Sequence, residues 1–203
     1  MTAPSPRSAF RIRRPLARAL LRLARWRTVG TVPERGVLVG APHTSNWDWV
    51  LTILLAWENS VNIHLLVKKE LFVGPLGWVL KATGAVKLDR ADPGATVRAL
   101  IAQAGASEEP FLLGIAAEGT RSRGKYWKSG FYRIAQQTGL PVTLAFVDAP
   151  SRRVGWGPTF HPSGDVRADM DRVREFYADV RGIRPDQATP PRLREEDRAA
   201  RED

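Results

Sequence analysis

From residue 36 onward, short apolar runs alternate with helical patterns at a spacing that few architectures accept. Gly36 to Ala41 (GVLVGA) reads as a short buried strand, and 46–58 as a helix. Residues 62–67 give a second strand, 75–83 a short helix, 85–88 a third strand and 95–103 another helix. A fourth strand falls at 111–115, a helix at 130–138, a strand at 141–147, a short sixth strand at 159–161 and an amphipathic helix at 166–180. This alternation predicts one layered α/β domain, at 31–183, with a central, mostly parallel sheet flanked by helices. Ligands of such sheets bind beyond the carboxyl ends of the strands, which directs attention to the loops 42–48, 89–93 and 116–129. Residues 184–203 hold little apolar side chain beyond alanine and Leu193, and read as a disordered tail.

Composition narrows the chemistry. The chain has no cysteine, which excludes disulfides, thiolate metal sites and a cysteine nucleophile, and only three histidines, His43, His64 and His161. Thirty-one Lys+Arg against 21 Asp+Glu give a formal charge of +10, which favours a polyanionic partner: nucleic acid, an anionic membrane surface or a phosphorylated substrate. The longest apolar run, Trp49 to Trp57, falls far short of the roughly 20 residues of a spanning helix, so no transmembrane helix is expected.

Residues 1–30 stand apart. Arg11, Arg14, Arg18, Arg22 and Arg25 fall at helical steps of three and four, while Leu16, Leu20 and Leu23 form a second stripe, with Leu21 and Trp26 near its edge. An interfacial helix on an anionic membrane has this pattern, and that reading places the protein peripherally on the cytoplasmic face. A helix packed on the domain with a solvated basic face gives the same sequence, and an Arg-rich transit peptide shares its composition. Basic charge concentrated before residue 30, with the aromatics inside the domain, fits lipid better than nucleic acid.

Two loops contain residues suited to catalysis. His43 lies on the loop after the first strand, five residues before Asp48 in the first turn of the next helix. There the carboxylate can fix the imidazole tautomer and leave the other nitrogen free as a base. Ser45-x-x-Asp48 ahead of an apolar run is equally a capping box, which would explain Asp48 without catalysis. Glu118-Gly119-Thr120-Arg121-Ser122 directly follows the fourth strand, where a glycine-containing loop with an arginine suits a phosphate. A solvated surface turn is the plainer alternative. Arg90, after the third strand, adds a second cation to that edge. Gly119 to Lys125 imitates a phosphate-binding P-loop, but Tyr126 replaces the Ser/Thr that would hold magnesium. Trp47, Trp49, Trp78 and Trp127 are candidates to line an acyl channel, although tryptophans serve core packing just as well.

In this order the segments resemble the glycerolipid acyltransferase family, whose best-known members are the 1-acyl-glycerol-3-phosphate acyltransferases. The family's H-x-x-x-x-D block matches His43 and Asp48. Its second block is similar to Lys69 to Phe72 with Gly74 to Trp78, running on to Gly84 and Asp89-Arg90. Its third stands intact at Glu118 to Ser122, and its fourth matches Leu140-Pro141-Val142. Ala117 stands where the family usually has proline, and the N-terminus offers a basic segment in place of a hydrophobic hairpin.

The resemblance implies the family's acyltransferase fold and transfer of a fatty acyl group from acyl-CoA or acyl carrier protein to a lysophospholipid hydroxyl, in phospholipid biosynthesis. It implies His43 as general base oriented by Asp48, and no cofactor and no metal, because a thioester is already activated. Arg90, Glu118, Gly119, Thr120 and Arg121 would hold the phosphate and glycerol end of the acceptor, and Leu140, Pro141 and Val142 would shape the acyl-chain site. The same chemistry on a hydroxyl outside the glycerophospholipids, and a non-catalytic basic membrane-binding module, are the alternatives.

Overall fold

Valine, isoleucine and leucine at Val37 to Val39, Ile63 to Val67 and Phe111 to Leu113 supply both faces of a central sheet. A computed structural model describes residues 6–88, 97–99, 102 and 111–197. Its seven strands are β1 (Arg27–Val29), β2 (Arg35–Ala41), β3 (Ile63–Lys68), β4 (Ala85–Leu88), β5 (Phe111–Ala116), β6 (Val142–Asp148) and β7 (Arg153–Phe160), in the order β1-β7-β6-β2-β5-β3-β4. Every neighbouring pair is parallel except β6 and β7. The helices are α1 (Pro6–Leu23), α2 (Asn46–Glu58), α3 (Gly74–Ala82), α4 (Gly130–Thr138) and α5 (Val166–Tyr177). The α/β architecture expected from the sequence is therefore the one observed.

Successive strand residues point to opposite faces, and the core divides accordingly. Val37, Val39 and Leu113 join Phe131, Ile134 and Ala135 of α4 and Met170 and Val173 of α5 on one face. Leu38 and Leu112 join Leu51, Leu55 and Ala56 of α2, and Leu21 of α1, on the other. Strands β2 and β5 are adjacent and parallel, with Gly40 beside Ala116, yet their following helices cross to opposite faces. Their carboxyl ends thus open a crevice at a topological switch point, which is the ligand position such sheets favour.

Three sequence expectations are corrected. Strand β7 runs over eight residues, where only 159–161 was expected. Its glycines conceal it. A Cβ at Gly155 would lie 2.1 Å from the Val29 carbonyl oxygen, and one at Gly157 would lie 2.3 Å from the Phe176 ring, so they mark close approach and not a turn. Strand β1 was not expected at all. Finally, residues 184–197 are no disordered tail: Leu193 is fully buried, Trp127 and Leu193 form a β-bridge, and a 3-10 turn spans Pro185–Gln187. The helix expected at 95–103 lies mostly outside the described residues, of which 97–99 and 102 are helical.

Helix α1 lies against α2 through a third face, distinct from both stripes read in the sequence. Ala17 and Leu21 are buried, and the Arg13 guanidinium sits 5.4 Å from the Trp57 ring centre. Ile12, Leu16, Leu20 and Leu23 remain exposed, at 75%, 46%, 41% and 83%, as does the arginine stripe. Among the described residues no helix is long and apolar enough to cross a membrane.

Candidate active site

The loop after β2 turns into α2 by a capping box. Ser45 Oγ accepts from the Trp47 N–H at 3.2 Å, while the Asp48 carboxylate reaches back to the Ser45 N–H at 2.7 Å. Asp48 Oδ2 also accepts from the Thr44 N–H at 2.7 Å and lies 3.5 Å from His43 Nδ1. The two readings of Asp48 therefore coexist, since one oxygen caps the helix and faces the imidazole. At 3.5 Å the pair is in electrostatic contact and slightly beyond a good hydrogen bond. Nε2 of His43 is the ring nitrogen turned away from this pairing.

Burial governs the protonation of both groups. His43 is held down to about 4, first by burial and then by the positive charge of Arg121. Asp48 is pushed up by burial, against the opposing effects of the Ser45 and Thr44 amides and of Arg121. An imidazole with that affinity is neutral at pH 7, the state a proton acceptor needs.

Glu118 follows β5, beside the His43 loop, and is turned inward at 2% exposure. Its Oε1 accepts from the His43 N–H at 2.6 Å and its Oε2 from the Thr189 N–H at 2.9 Å. Both oxygens are thus engaged by main chain, and a carboxylate so placed holds the two loops together. Gly119, Thr120, Arg121 and Ser122 are exposed on the rim. Gly119 adopts φ +69, a left-handed conformation that favours glycine. Among the described residues no acceptor is bonded to the amides of Thr120 and Arg121. This is the arrangement of a loop open to an anion, with Arg121 near enough to act on the His43 and Asp48 charges.

Other expected site residues are placed elsewhere. Leu140 and Val142 are buried, and Val142 pairs with Val37 at the amino end of β6. Val37 lies six positions before His43, roughly 20 Å along the strand. The segment Leu140 to Val142 therefore lies at the amino end of β6, with Leu140 and Val142 in the core and away from the His43 loop. Arg90 lies outside the described residues. Trp127 is buried in the core, whereas Trp47 and Trp78 are 65% and 74% exposed. The loop after Gly124 runs through a β-bridge at Trp127, and α4 begins only at Gly130, so no P-loop helix follows it. His64 is half-buried 5.5 Å from the Phe111 ring, a packing position.

Residues unremarked in the sequence complete the site. Thr44 is fully buried and its Oγ1 accepts from the Arg184 N–H at 3.0 Å. The Tyr177 hydroxyl lies 2.9 Å from both the Val39 and Ala145 carbonyls, joining β2 to β6 below the His43 loop. Burial and the nearby Glu118 charge push its ionisation far up, so it stays a neutral hydrogen-bonding group.

The ends of β2 and β5 thus bring together a neutral histidine, a carboxylate and a cationic loop, a set of groups suited to proton transfer. Residues 22–145 match the model of the Acyltransferase family, well over half of the chain, and the protein belongs to that family. No curated protein and no solved structure matches it significantly.

Proposed function

We propose that this acyltransferase moves a fatty acyl group from a thioester, acyl-CoA or acyl carrier protein, to the hydroxyl of a lysophospholipid. The first acceptor to consider is 1-acyl-glycerol-3-phosphate, which would place the reaction in phospholipid biosynthesis. The observation that carries this reading is the neutral His43 facing Asp48 on one loop, with Arg121 exposed on the adjoining one.

An alcohol is a poor nucleophile at neutral pH, so removing its proton as it attacks contributes on the order of 10²–10⁴-fold. The acceptor oxygen attacks the thioester carbonyl carbon while its proton passes to His43 Nε2. The tetrahedral adduct then collapses, the C–S bond breaks, and the imidazolium returns the proton to the departing sulfur. Ester and thiol are the products, and the proton count closes. The thioester supplies the activation, so the step calls for neither ATP nor a metal. Asp48 stabilises the transient imidazolium, and Arg121 with the amides of Thr120 and Arg121 binds the acceptor's phosphate. Glu118 acts through the main chain of His43 and does not touch the phosphate.

The amides of His43, Thr44, Ser45 and Trp47 are all committed, to Glu118, to Asp48 twice and to Ser45. They are accordingly no site for the oxyanion. The exposed stripe of α1, with arginines on its opposite flank, suits an anionic lipid surface on the cytoplasmic side where acyl thioesters are made.

Thiol release from a long-chain acyl-CoA, with and without 1-acyl-glycerol-3-phosphate, tests the reading. The absence of cysteine keeps a thiol reagent from reporting on the protein. Acceptor-dependent release that falls at least 100-fold in His43→Ala is expected. Retained turnover in that variant would remove His43 as the base. Release with a different hydroxyl acceptor would keep the chemistry and change the substrate.

A further inference from the structure

The family match ends at residue 145, yet the loops of the site are held by chain well beyond it. Gly182, at φ +66, packs so closely that a Cβ there would lie 3.0 Å from Pro42 Cβ and 3.2 Å from Thr44 Oγ1. Two residues on, the Arg184 N–H donates to Thr44 Oγ1. Thr189 then makes three bonds to the other loop. Its N–H donates to Glu118 Oε2 at 2.9 Å, its Oγ1 accepts from the Gly124 N–H at 2.9 Å, and its carbonyl accepts from Trp127 Nε1 at 2.8 Å. The segment is pinned at its far end by the buried Leu193, by the Arg192 carbonyl on the Trp127 N–H at 2.8 Å, and by the Arg174–Glu196 pair at 2.8 Å.

These contacts converge on one atom path. Thr189 holds one oxygen of Glu118, the other oxygen holds the His43 N–H, and His43 faces Asp48. A buried carboxylate gripped from one side only would be free to rotate, and the His43 main chain would lose its fixed point. The hydroxyl of Thr189 meanwhile fixes Gly124, three residues after Arg121, and so limits where that loop can carry its cation.

We propose that the segment from Gly182 to Leu193 is a strap that completes the site, and that Thr189 is a positioning residue for the acyl transfer, acting through Glu118 on His43 and through Gly124 on the Arg121 loop. The proposal rests on the acyl-transfer reading for its kinetic consequence alone; its geometric consequence is independent.

Thr189→Pro removes both the N–H that Glu118 accepts and the hydroxyl that holds the Gly124 N–H, and keeps the carbonyl that Trp127 Nε1 reaches. The preceding Ala188, at φ −65 and ψ 133, already has the extended conformation that a following proline requires. Expected for this variant is a fall in kcat of about tenfold or more with the thioester KM nearly unchanged, because a displaced base impairs chemistry more than binding. His43, identified among the three histidine signals by its loss in His43→Ala, should titrate upward from about 4 toward 6.5 as the loop loosens. A purely structural role would lower the melting temperature and leave that titration alone. A folded Thr189→Pro protein with wild-type kcat and wild-type His43 titration overturns the proposal.

If that variant does not fold, Thr189→Val and Thr189→Ser decide. Valine keeps the N–H and removes the hydroxyl, so it should raise the acceptor KM several-fold by freeing the Arg121 loop, and serine, which keeps the hydroxyl, should restore it. Valine with a wild-type acceptor KM and wild-type His43 titration overturns the proposal. If the wild type shows no acceptor-dependent release, the substrate reading has failed. The His43 titration then judges the strap by itself.

Discussion

At the scale of single residues, the candidate site sets two charges of opposite sign beside one half-buried imidazole. Asp48 favours its protonated form, while burial and Arg121 oppose it, and the opposing pair prevails. Replacing Arg121 with glutamine removes one of the two causes. The imidazolium becomes easier to form, so the affinity of His43 for its proton rises from about 4 toward 6.5. The acid limb of kcat/KM therefore moves to higher pH, by only part of that interval because burial is the larger cause. The KM for a phosphorylated acceptor should rise about tenfold while the thioester KM holds, since one charge-assisted contact to phosphate is lost. A pH–rate profile with both substrates checks the two effects; an unmoved acid limb would mean that Arg121 does not act on His43. His43, Asp48 and Arg121 were legible in the sequence because each needs only a local spacing. The inward turn of Glu118 was not, because its two partners lie 75 and 71 positions away.

Among the elements, α1 resolves a sequence that permitted several readings. Periodicity identifies stripes but not which gap between them faces the protein, and Ala17 with Leu21 proves to be the seam. Leu16 and Leu20 can therefore be changed without disturbing the core. The pair Leu16→Asp and Leu20→Asp should leave the melting temperature within a few degrees and reduce co-flotation with anionic vesicles about tenfold or more, each buried apolar side chain being worth roughly 1.5–3 kcal/mol. Unchanged flotation would assign lipid binding to the arginines alone. Exposed Trp47, Val73 and Trp78 stand at elements leaving the same sheet edge as the site, but only periodic runs of such residues betray a face in sequence.

For the whole molecule, the parallel sheet was readable because five of its strands are short apolar runs in strand–helix alternation. The strap was not. Prolines, charges and small or polar side chains at 184–192 separate its only two large aliphatic residues, Ile183 and Leu193, too far apart to make a pattern, and the fully buried one is Leu193. That one residue still matters: Leu193 is fully buried beside Trp127 in the larger core cluster. Leu193→Ala should cost about 2–5 kcal/mol of unfolding free energy, as large-to-small core changes do. Denaturant unfolding measures it, and a loss below about 1 kcal/mol would mean that the C-terminal segment is not held by this residue.

The seam between α1 and α2 also bears on how a lipid surface would be met. Free amphipathic peptides pay for ordering when they bind, because the helix forms at the interface. Here Ala17, Leu21 and the Arg13–Trp57 contact hold the helix in place beforehand. Partitioning would then proceed as the docking of a rigid body, without a gain in far-ultraviolet helical signal when vesicles are added. Its free energy would scale with apolar area and surface charge, and the angle at which the crevice faces the bilayer would be set by the protein instead of by the membrane.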